Sequence, residues 1–550
     1  MFSLSRLRES AATARALGEF VPSVLRSGIV SLRSGAATTL STPAVLARYW
    51  FTTAREVEQG HITAPHRLAI IDDDGELTYR QLRDNSQSVA RHLLSLGLGE
   101  IRLGVMARNG RGIVYPLAAK GYAGAAIYLL NVGSSPEQLS GCLEENDINV
   151  LVIDEEFLGR LNTSLIDARG IHIIIAHHTD PSPAYPSLAD IVARPWDTSD
   201  ITLPTFPKHG PIVLMSSGTS GIPKGVIRPE PRLPLVLAGI LKKVPWRADI
   251  RLQLHASIFH TWGWGALNIA LAARGTIVTH RIFDPAQVLR DIDTYQLEAM
   301  VTSPVFLKQI LEVDDNARYD TSHLEFIVSS GHALTPHLVE ETIERFGPIL
   351  CNVYGSTELT LASVASAEEI AADPTTSGEI ATGTTLKILD DHGNEVPTGT
   401  PGRIYLRNST TLVGYSNPTI PLDHAQGLIS IGDLGYLDDT GHLRVLGRAD
   451  DMIIVGGENV YPRSVDNVLD ALPGIADVYS GGVPDDNTFQ RIAVWIVRDD
   501  NAHGAALTDD AIRAHVRDNL AEHSIPRDVH FMDELPRNET GKVVPRLLPQ

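Results

Sequence analysis

The sequence predicts an α/β protein built on parallel sheets, followed by a small β subdomain and a compact α+β unit. From about residue 65, short β-rich apolar runs alternate with longer stretches of helical spacing, as far as "LEFIVSS". Around 376 to 446 the runs shorten and are punctuated by Gly, Pro, Asn and Asp. The last hundred or so residues return to mixed helix and strand.

In order along the chain, "RLAIID" reads as a strand and "DDDG" as a turn, where Asp and Gly supply the local chemistry. "YRQLRDNSQSVARHLLSLGL" has helical spacing, with Leu82, Val89, Leu93 and Leu94 toward one side. "RLGVMA", "GAAIYLL" and "NVLVID" follow as buried strands, then "GTIVTH", "LEAMVTS" and "LEFIVSS". Strands alternating with helices imply parallel sheets covered on both faces. "LKILDDHGNEVPTGTPGRIYLR" and "GYLDDTGHLRVLGR" suggest antiparallel hairpins. The final unit reads helix near 464 to 472, strands "DVYSGGV" and "RIAVWIV", a second helix, and strand "DVHFM". That second helix takes Thr508 as N-cap, with Ile512, Val516 and Leu520 at i, i+4 spacing.

At 550 residues the chain has room for two or more cored domains. A net charge of -20 argues against nucleic acid as a partner. Cys142 and Cys351 supply neither a disulfide framework nor a metal cluster and fit a reducing, cytoplasmic setting. No apolar run reaches the length of a membrane span, Ile113 to Leu130 being broken by Pro116 and Lys120. "MFSLSRLRES" lacks the apolar block of a secretory signal. Residues 1–50 carry six arginines against Glu9 and Glu19. They read either as an extension packing on the main domain or as a basic amphipathic segment in peripheral contact with an anionic membrane.

The chemistry concentrates in loops. "SSGTSGIPKG" follows the apolar run Ile212 to Met215 and offers hydroxyls from Ser216, Ser217, Thr219 and Ser220. Gly218 and Gly221 let backbone N–H groups approach an anion, and Lys224 adds positive charge. Lys224 does not sit at the G-x-x-x-x-G-K-[ST] spacing, so the loop is no kinase-type P-loop. In "NVYGSTE", Tyr354 and Gly355 make a tight turn, the ring is placed to stack on a base, and Thr357 precedes Glu358. A carboxylate there suits Mg²⁺ shared with phosphate oxygens. "IGDLG" places Asp433 to accept from a ribose diol, "GRADD" supplies Arg448 and Asp450, and "PRNETGK" puts Lys542 in a loop.

Singly, each of these has an ordinary reading as loop polarity; their order decides. "SSGTSGIPKG", "VYGSTE", "IGDLG", "GRADDMIIVGGENVYP" and "LPRNETGK" together resemble the adenylate-forming superfamily, the acyl-CoA synthetases and their relatives. "LTYRQL" and "FHTWG" are weaker matches in the expected order, and the resemblance covers about residues 60 to 545.

The resemblance implies a large N-terminal domain of two αβ-layered sheets plus a small β subdomain, residues 51–448, then a small mobile α+β domain, 449–550. It implies that ATP's β- and γ-phosphates sit in the 216–225 loop. A carboxylate, of which a fatty acid is the leading expectation, attacks the α-phosphate, and CoA then takes the acyl group from acyl-AMP. By the same resemblance Lys542 bridges carboxylate and α-phosphate, Glu358 holds Mg²⁺, and Asp433 and Arg448 hold the ribose. Asn352, Tyr354 and the Gly331–His332–Ala333 backbone flank adenine and shape the acyl pocket. His260 gates the carboxylate, Asp450 is the hinge, and Gly456 and Gly457 line the pantetheine path. Ile431, Ser220, Ser464 and Val445 depart from the family's commoner residues without removing a principal catalytic group. Two alternatives share these motifs: an acyl-AMP ligase feeding an acyl carrier protein, and a non-catalytic membrane-associated acyl- or nucleotide-binding protein.

Overall fold

The computed structural model describes residues 16–30, 36–180, 183–194, 201–215, 222–228, 234–314, 316–455, 458–485, 489–538 and 541–549. Four sheets organise it. In the nine-stranded sheet, six neighbouring strands are parallel: Leu350–Tyr354, Phe326–Ser329, Ala299–Thr302, Arg251–Leu254, Thr276–Val278 and Leu68–Asp72. Antiparallel strands close both its edges, Gly75–Thr78 at one and Ser363–Ala365 with Glu379–Ile380 at the other. The "DDDG" turn is the two-residue hairpin loop between Asp72 and Gly75, whose φ of 97° only glycine adopts readily.

The seven-stranded sheet has a parallel block: Ile212–Met215, Ala126–Leu129, Arg102–Met106, Val150–Ile153 and His172–Ile175. Gly225–Arg228 turns back antiparallel beside Ile212–Met215, and the two-residue strand Gly414–Tyr415 adds to its outer edge. Every residue of Ile212–Met215, Ala126–Leu129 and Val150–Ile153 is buried, which is why those runs lack alternation. One hydrophobic cluster runs through both large sheets, from Leu103 and Val152 to Leu254 and Val328. Asp72 ties them together, accepting 2.8 Å from the backbone N–H of Arg111, first residue of helix Arg111–Ala123, and 2.6 Å from its guanidinium.

The "LTYRQL" stretch has a local cause: Thr78 caps helix Tyr79–Ser95 in a capping box with Gln81. Tyr79, fully buried, donates to the Gly275 carbonyl at 2.9 Å. The third sheet is antiparallel throughout and spans Thr385–Arg448, the small β unit expected from the hairpin signals.

The fourth sheet lies in the C-terminal α+β unit, where Ile475–Asp485 and Phe489–Arg498 pair antiparallel and Asp528–Met532 runs parallel to the latter. Helix Asp509–Asn519 is capped by Thr508, and its Ile512 and Val516 bury against Val465 and Leu469. The short strands Ile453–Val455 and Glu458–Val460 carry no periodicity to read.

The N-terminal segment packs inward through Val24 and Ile29 against Ala273, and buried Arg274 donates to the carbonyls of Ile29 and Gly28 at 3.0 and 2.8 Å. Its outer side exposes Leu17, Val21 and Leu25. Arg6, Arg8, Arg15 and Arg33 lie outside the described residues. Among the described residues no helix is long and apolar enough to cross a membrane.

Candidate active site

Several of the expected residues that are described, among them Asn352, Tyr354, Glu358, Asp433, Arg448 and Lys542, come together near the carboxyl ends of the parallel strands of the nine-stranded sheet, where α/β sheets bind ligands. Phe326–Ser329 runs out into Ser330, Gly331, His332 and Ala333. A Cβ on Gly331 would meet nothing within 4 Å, so its face is open, and its φ is 90°. The neighbouring strand Leu350–Tyr354 presents Asn352, paired in register with Ser329, and then Tyr354.

After Tyr354 the chain turns sharply. A side chain on Gly355 would lie 2.0 Å from the Thr360 carbonyl, so only glycine lets the turn close. Thr360 has φ of 65°, a left-handed conformation that a β-branched residue seldom adopts. Within this turn the Glu358 carboxylate accepts 3.2 Å from the Tyr415 hydroxyl, and its backbone carbonyl accepts 2.8 Å from the Leu412 N–H.

Asp433 and Arg448 stand opposite each other on one rung of the antiparallel pair Asp433–Leu437 and Leu443–Arg448. Asp433 is 9% exposed, accepts a hydrogen bond from the Tyr354 hydroxyl, and lies 3.7 Å from the Arg448 guanidinium. Arg448 also lies 3.6 Å from Asp450, which is largely solvent-exposed.

Lys542 reaches this cleft from the far end of the chain. Asn538 brackets its loop: the side-chain oxygen accepts from the Lys542 N–H at 3.0 Å, and the Asn538 N–H donates to the Lys542 carbonyl at 2.8 Å. Next to it, a side chain on Gly541 (φ 79°) would collide with Val305 at 2.5 Å, so Gly541 lies flush on helix Pro304–Leu311. Lys308 of that helix donates to the Ala476 carbonyl. The Lys542 side chain is open to solvent along the cleft, yet the cleft walls desolvate its ammonium and hold the pKa below the usual lysine value. Arg448 adds repulsion, while Asp433, Glu358 and Asp451 act against the shift.

His260 precedes helix Thr261–Ala272, its ring 4.3 Å from that of Phe259. Burial first, and the Lys542 charge second, bring its pKa down to about 4, so the imidazole is neutral at pH 7. Its buried Nε2 has no hydrogen-bond partner among the described residues. The Lys542 ammonium therefore lies near enough to His260 to disfavour a second charge on the ring.

Lys224 is exposed, 5.7 Å from the Tyr415 ring. Ser216, Ser217, Gly218, Thr219, Ser220 and Gly221 lie outside the described residues, as do Gly456 and Gly457. Thr357 is half-buried, and its carbonyl accepts from Arg228 at 3.0 Å. Gly263, in "FHTWG", is small for packing: a Cβ there would lie 2.3 Å from the Ser257 carbonyl. Gly265, one turn position on, has nothing within 4 Å of such a Cβ.

Three cleft residues escape a reading of motifs. Tyr415 enters through the added edge strand, Arg228 ends the strand after the Gly- and Ser-rich loop, and Arg463 brings a charge that senses Tyr354 and Asp433. Tyr415 and Arg228 are placed by pairing between distant segments, and Arg463 by the first turn of helix Pro462–Asp470.

Residues 58–416 match the AMP-binding enzyme family, and residues 464–542 match the AMP-binding enzyme C-terminal domain. The chain belongs to the AMP-binding enzyme family. A 3-[(3aS,4S,7aS)-7a-methyl-1,5-dioxo-octahydro-1H-inden-4-yl]propanoyl:CoA ligase of Mycobacterium tuberculosis is 28% identical over 506 residues, 87% of this chain and 94% of that one. A 2-succinylbenzoate–CoA ligase of Bacillus cereus is 28% identical over 493 residues, 88% of this chain and 96% of that one. Among solved structures, an amide bond synthetase from Marinactinospora thermotolerans superposes with a TM-score of 0.78 at 25% identity, covering 89% of this chain and 97% of that one. This AMP-binding enzyme shares with them the large sheet-layered N-terminal part and the small C-terminal α+β part.

Proposed function

We propose that this AMP-binding enzyme activates an apolar carboxylic acid as its acyl adenylate in the cleft and hands the acyl group to CoA. It is an acid–thiol ligase of the AMP-forming type, and the roles below are its residues' share of that chemistry. The observation that carries the reading is Lys542, delivered from the C-terminal unit into a cleft that already holds Glu358, Asp433, Arg448 and a neutral His260.

In the first half-reaction a carboxylate oxygen attacks the α-phosphorus of ATP, the bond to the β-phosphate's bridging oxygen breaks, and pyrophosphate leaves. Two anions must meet, so a cation between them lowers the barrier. Lys542 supplies it and aligns the attack. His260 Nε2 takes the substrate carboxylate's flank without adding charge. Asp433, held by the Tyr354 hydroxyl, accepts from the ribose, and Arg448 steadies it. Asn352, Tyr354 and the open backbone from Gly331 to Ala333 flank the adenine. The 216–221 loop with Lys224 receives the departing phosphates.

Glu358 fits Mg²⁺: Tyr415 occupies one carboxylate oxygen and leaves the other to a cation that keeps most of its shell from phosphate and water. That ion would neutralise charge on the leaving pyrophosphate. In the second half-reaction the thiol sulfur attacks the acyl carbonyl, the bond to AMP breaks, and the thiol proton passes to solvent. Dividing the chain at 448/449 puts the hinge at Asp450, just beyond the last strand of the third sheet. Rotation there withdraws Lys542 and brings Gly456 and Gly457 to the pantetheine.

The apolar helix Thr261–Ala272 and the open faces at Gly265 and Gly331 support an apolar acid. A panel of short, medium and long fatty acids and aryl acids, with ATP and Mg²⁺, tests it through pyrophosphate release and thioester formation. Acyl-CoA from one acid class is expected. Acyl-AMP that CoA never discharges would transfer the enzyme to carrier-protein chemistry, and no pyrophosphate from any acid would overturn the reading.

The exposed Leu17, Val21 and Leu25 beside an arginine-rich terminus support peripheral contact with an anionic membrane. Co-sedimentation with phosphatidylglycerol vesicles, lost in 0.5 M salt-like screening (on the order of a 4 Å Debye length), is expected. Equal recovery with neutral vesicles, or none with either, rejects it.

A further inference from the structure

Arg228 is a buried cation that the reaction, as derived above, does not use. It ends the strand Gly225–Arg228, which leads out of the phosphate loop, and is 3% exposed. Its guanidinium donates to the carbonyl of Thr357 at 3.0 Å, to the carbonyl of Thr410 at 3.3 Å, and to the Thr360 hydroxyl. The same group lies 5.5 Å from the centroid of the Trp264 ring, on the helix beside the proposed acid pocket. Thr357 and Thr360 bracket Glu358 in sequence, and Thr410 lies two residues before Leu412, whose N–H holds the Glu358 carbonyl.

A charge is costly at such a depth unless it is offset. Burial lowers the Arg228 pKa to about 10, and the opposing influence is Glu358. A planar fork reaches several acceptors at once, which a lysine ammonium does only as a point charge. Thr360 meanwhile holds a φ of 65°, a conformation that persists where surroundings over-determine it. Its hydroxyl is one of the groups that Arg228 grips.

We propose that Arg228 is a positioning residue for the proposed metal carboxylate: it pins the strained Thr357–Thr360 turn so that Glu358 faces the phosphates. The inference rests on reading Glu358 as the Mg²⁺ carboxylate. Arg228 touches no reacting atom. It acts by fixing the backbone on both sides of Glu358 and by setting a compensating charge beneath it.

The test compares Arg228→Lys, Arg228→Met and Thr360→Gly with Glu358→Gln in the full chain, each checked by its thermal midpoint. Pyrophosphate release is measured across a Mg²⁺ titration at saturating ATP and acid. Transfer from synthetic acyl-AMP to CoA is measured separately. Loss of a group that orients a ligand typically costs 10–100-fold, so Arg228→Met is expected to raise the Mg²⁺ requirement of adenylation by roughly tenfold or more. Acyl transfer is expected to stay within about twofold, because the turn is not asked to hold phosphates in that step. Arg228→Lys restores part of the loss, and Thr360→Gly moves the Mg²⁺ requirement in the same direction while relieving the positive φ. A wild-type Mg²⁺ profile in Arg228→Met, with only a lower thermal midpoint, overturns the proposal. So does an equal loss in both half-reactions. If Glu358→Gln leaves the Mg²⁺ profile untouched, the metal reading of Glu358 falls and this inference falls with it. If Glu358→Gln shifts the profile while the Arg228 variants do not, this inference falls alone.

Discussion

Lys542→Ala is expected to slow acyl-adenylate formation by about 100- to 1,000-fold, the cost of losing one preorganised group aimed at developing charge. Transfer from preformed acyl-AMP to CoA is expected to stay nearly unchanged, since the bond between carboxylate and α-phosphorus that Lys542 helps to form already exists in acyl-AMP and the proposed rotation withdraws the lysine. Single-turnover pyrophosphate release and thioester formation from synthetic acyl-AMP read the two steps apart. Equal losses in both would sink the role given to Lys542.

The same lysine sets a pH limit. Its folded pKa lies below the ordinary lysine value, with desolvation the first cause and Arg448 the second. The cationic form is therefore lost at a lower pH than for a free lysine. On the alkaline side, kcat/KM for adenylation should fall with an apparent pKa below that of model lysine, because kcat/KM reports the free enzyme. The sign for stability is opposite: burying the cation costs free energy below the folded pKa, and the cost fades as pH rises through it.

Asp433→Ala carries the second large effect. Asp433 is buried, accepts from Tyr354 and faces Arg448, so its removal takes away a charged acceptor for the ribose, leaves the Tyr354 hydroxyl without that acceptor and takes one of the two carboxylates beside Arg448. Hydrogen bonds to charged groups are worth about 1.5–3 kcal/mol, so the KM for ATP should rise roughly 10- to 150-fold. The KM for the acid should move far less. Initial rates over an ATP by acid grid separate them, and an unchanged KM for ATP would remove Asp433 from the ribose.

Much of this was legible in the chain because its chemistry sits in contiguous loops. Strand runs such as Val150–Ile153 and Phe326–Ser329 appear where alternation placed them, and Thr508 caps the helix that spacing gave it. What was not legible depends on long-range pairing. Tyr415 reaches Glu358 only because Gly414–Tyr415 adds to the edge beside Gly225–Arg228, about 190 residues earlier by loop-closure reckoning. Arg228 looks in sequence like one more charge after a glycine-rich loop. Gly263 and Gly265 look alike in sequence, yet the first meets a carbonyl and the second open space, because a missing side chain reads the same whether it admits a ligand or backbone.

The flush seat of Gly541 on Val305 bears on how fast the enzyme can cycle. Surfaces that interlock through side chains must unmesh before they part, and the barrier to parting grows with each knob lifted from its hole. Here Gly541, the residue beside the lysine, lies on its support like a smooth pawl, with no side chain of its own to disengage. In the proposed swing it would leave and return with nothing to unmesh at this point, and the timing would pass to the ligands in the cleft.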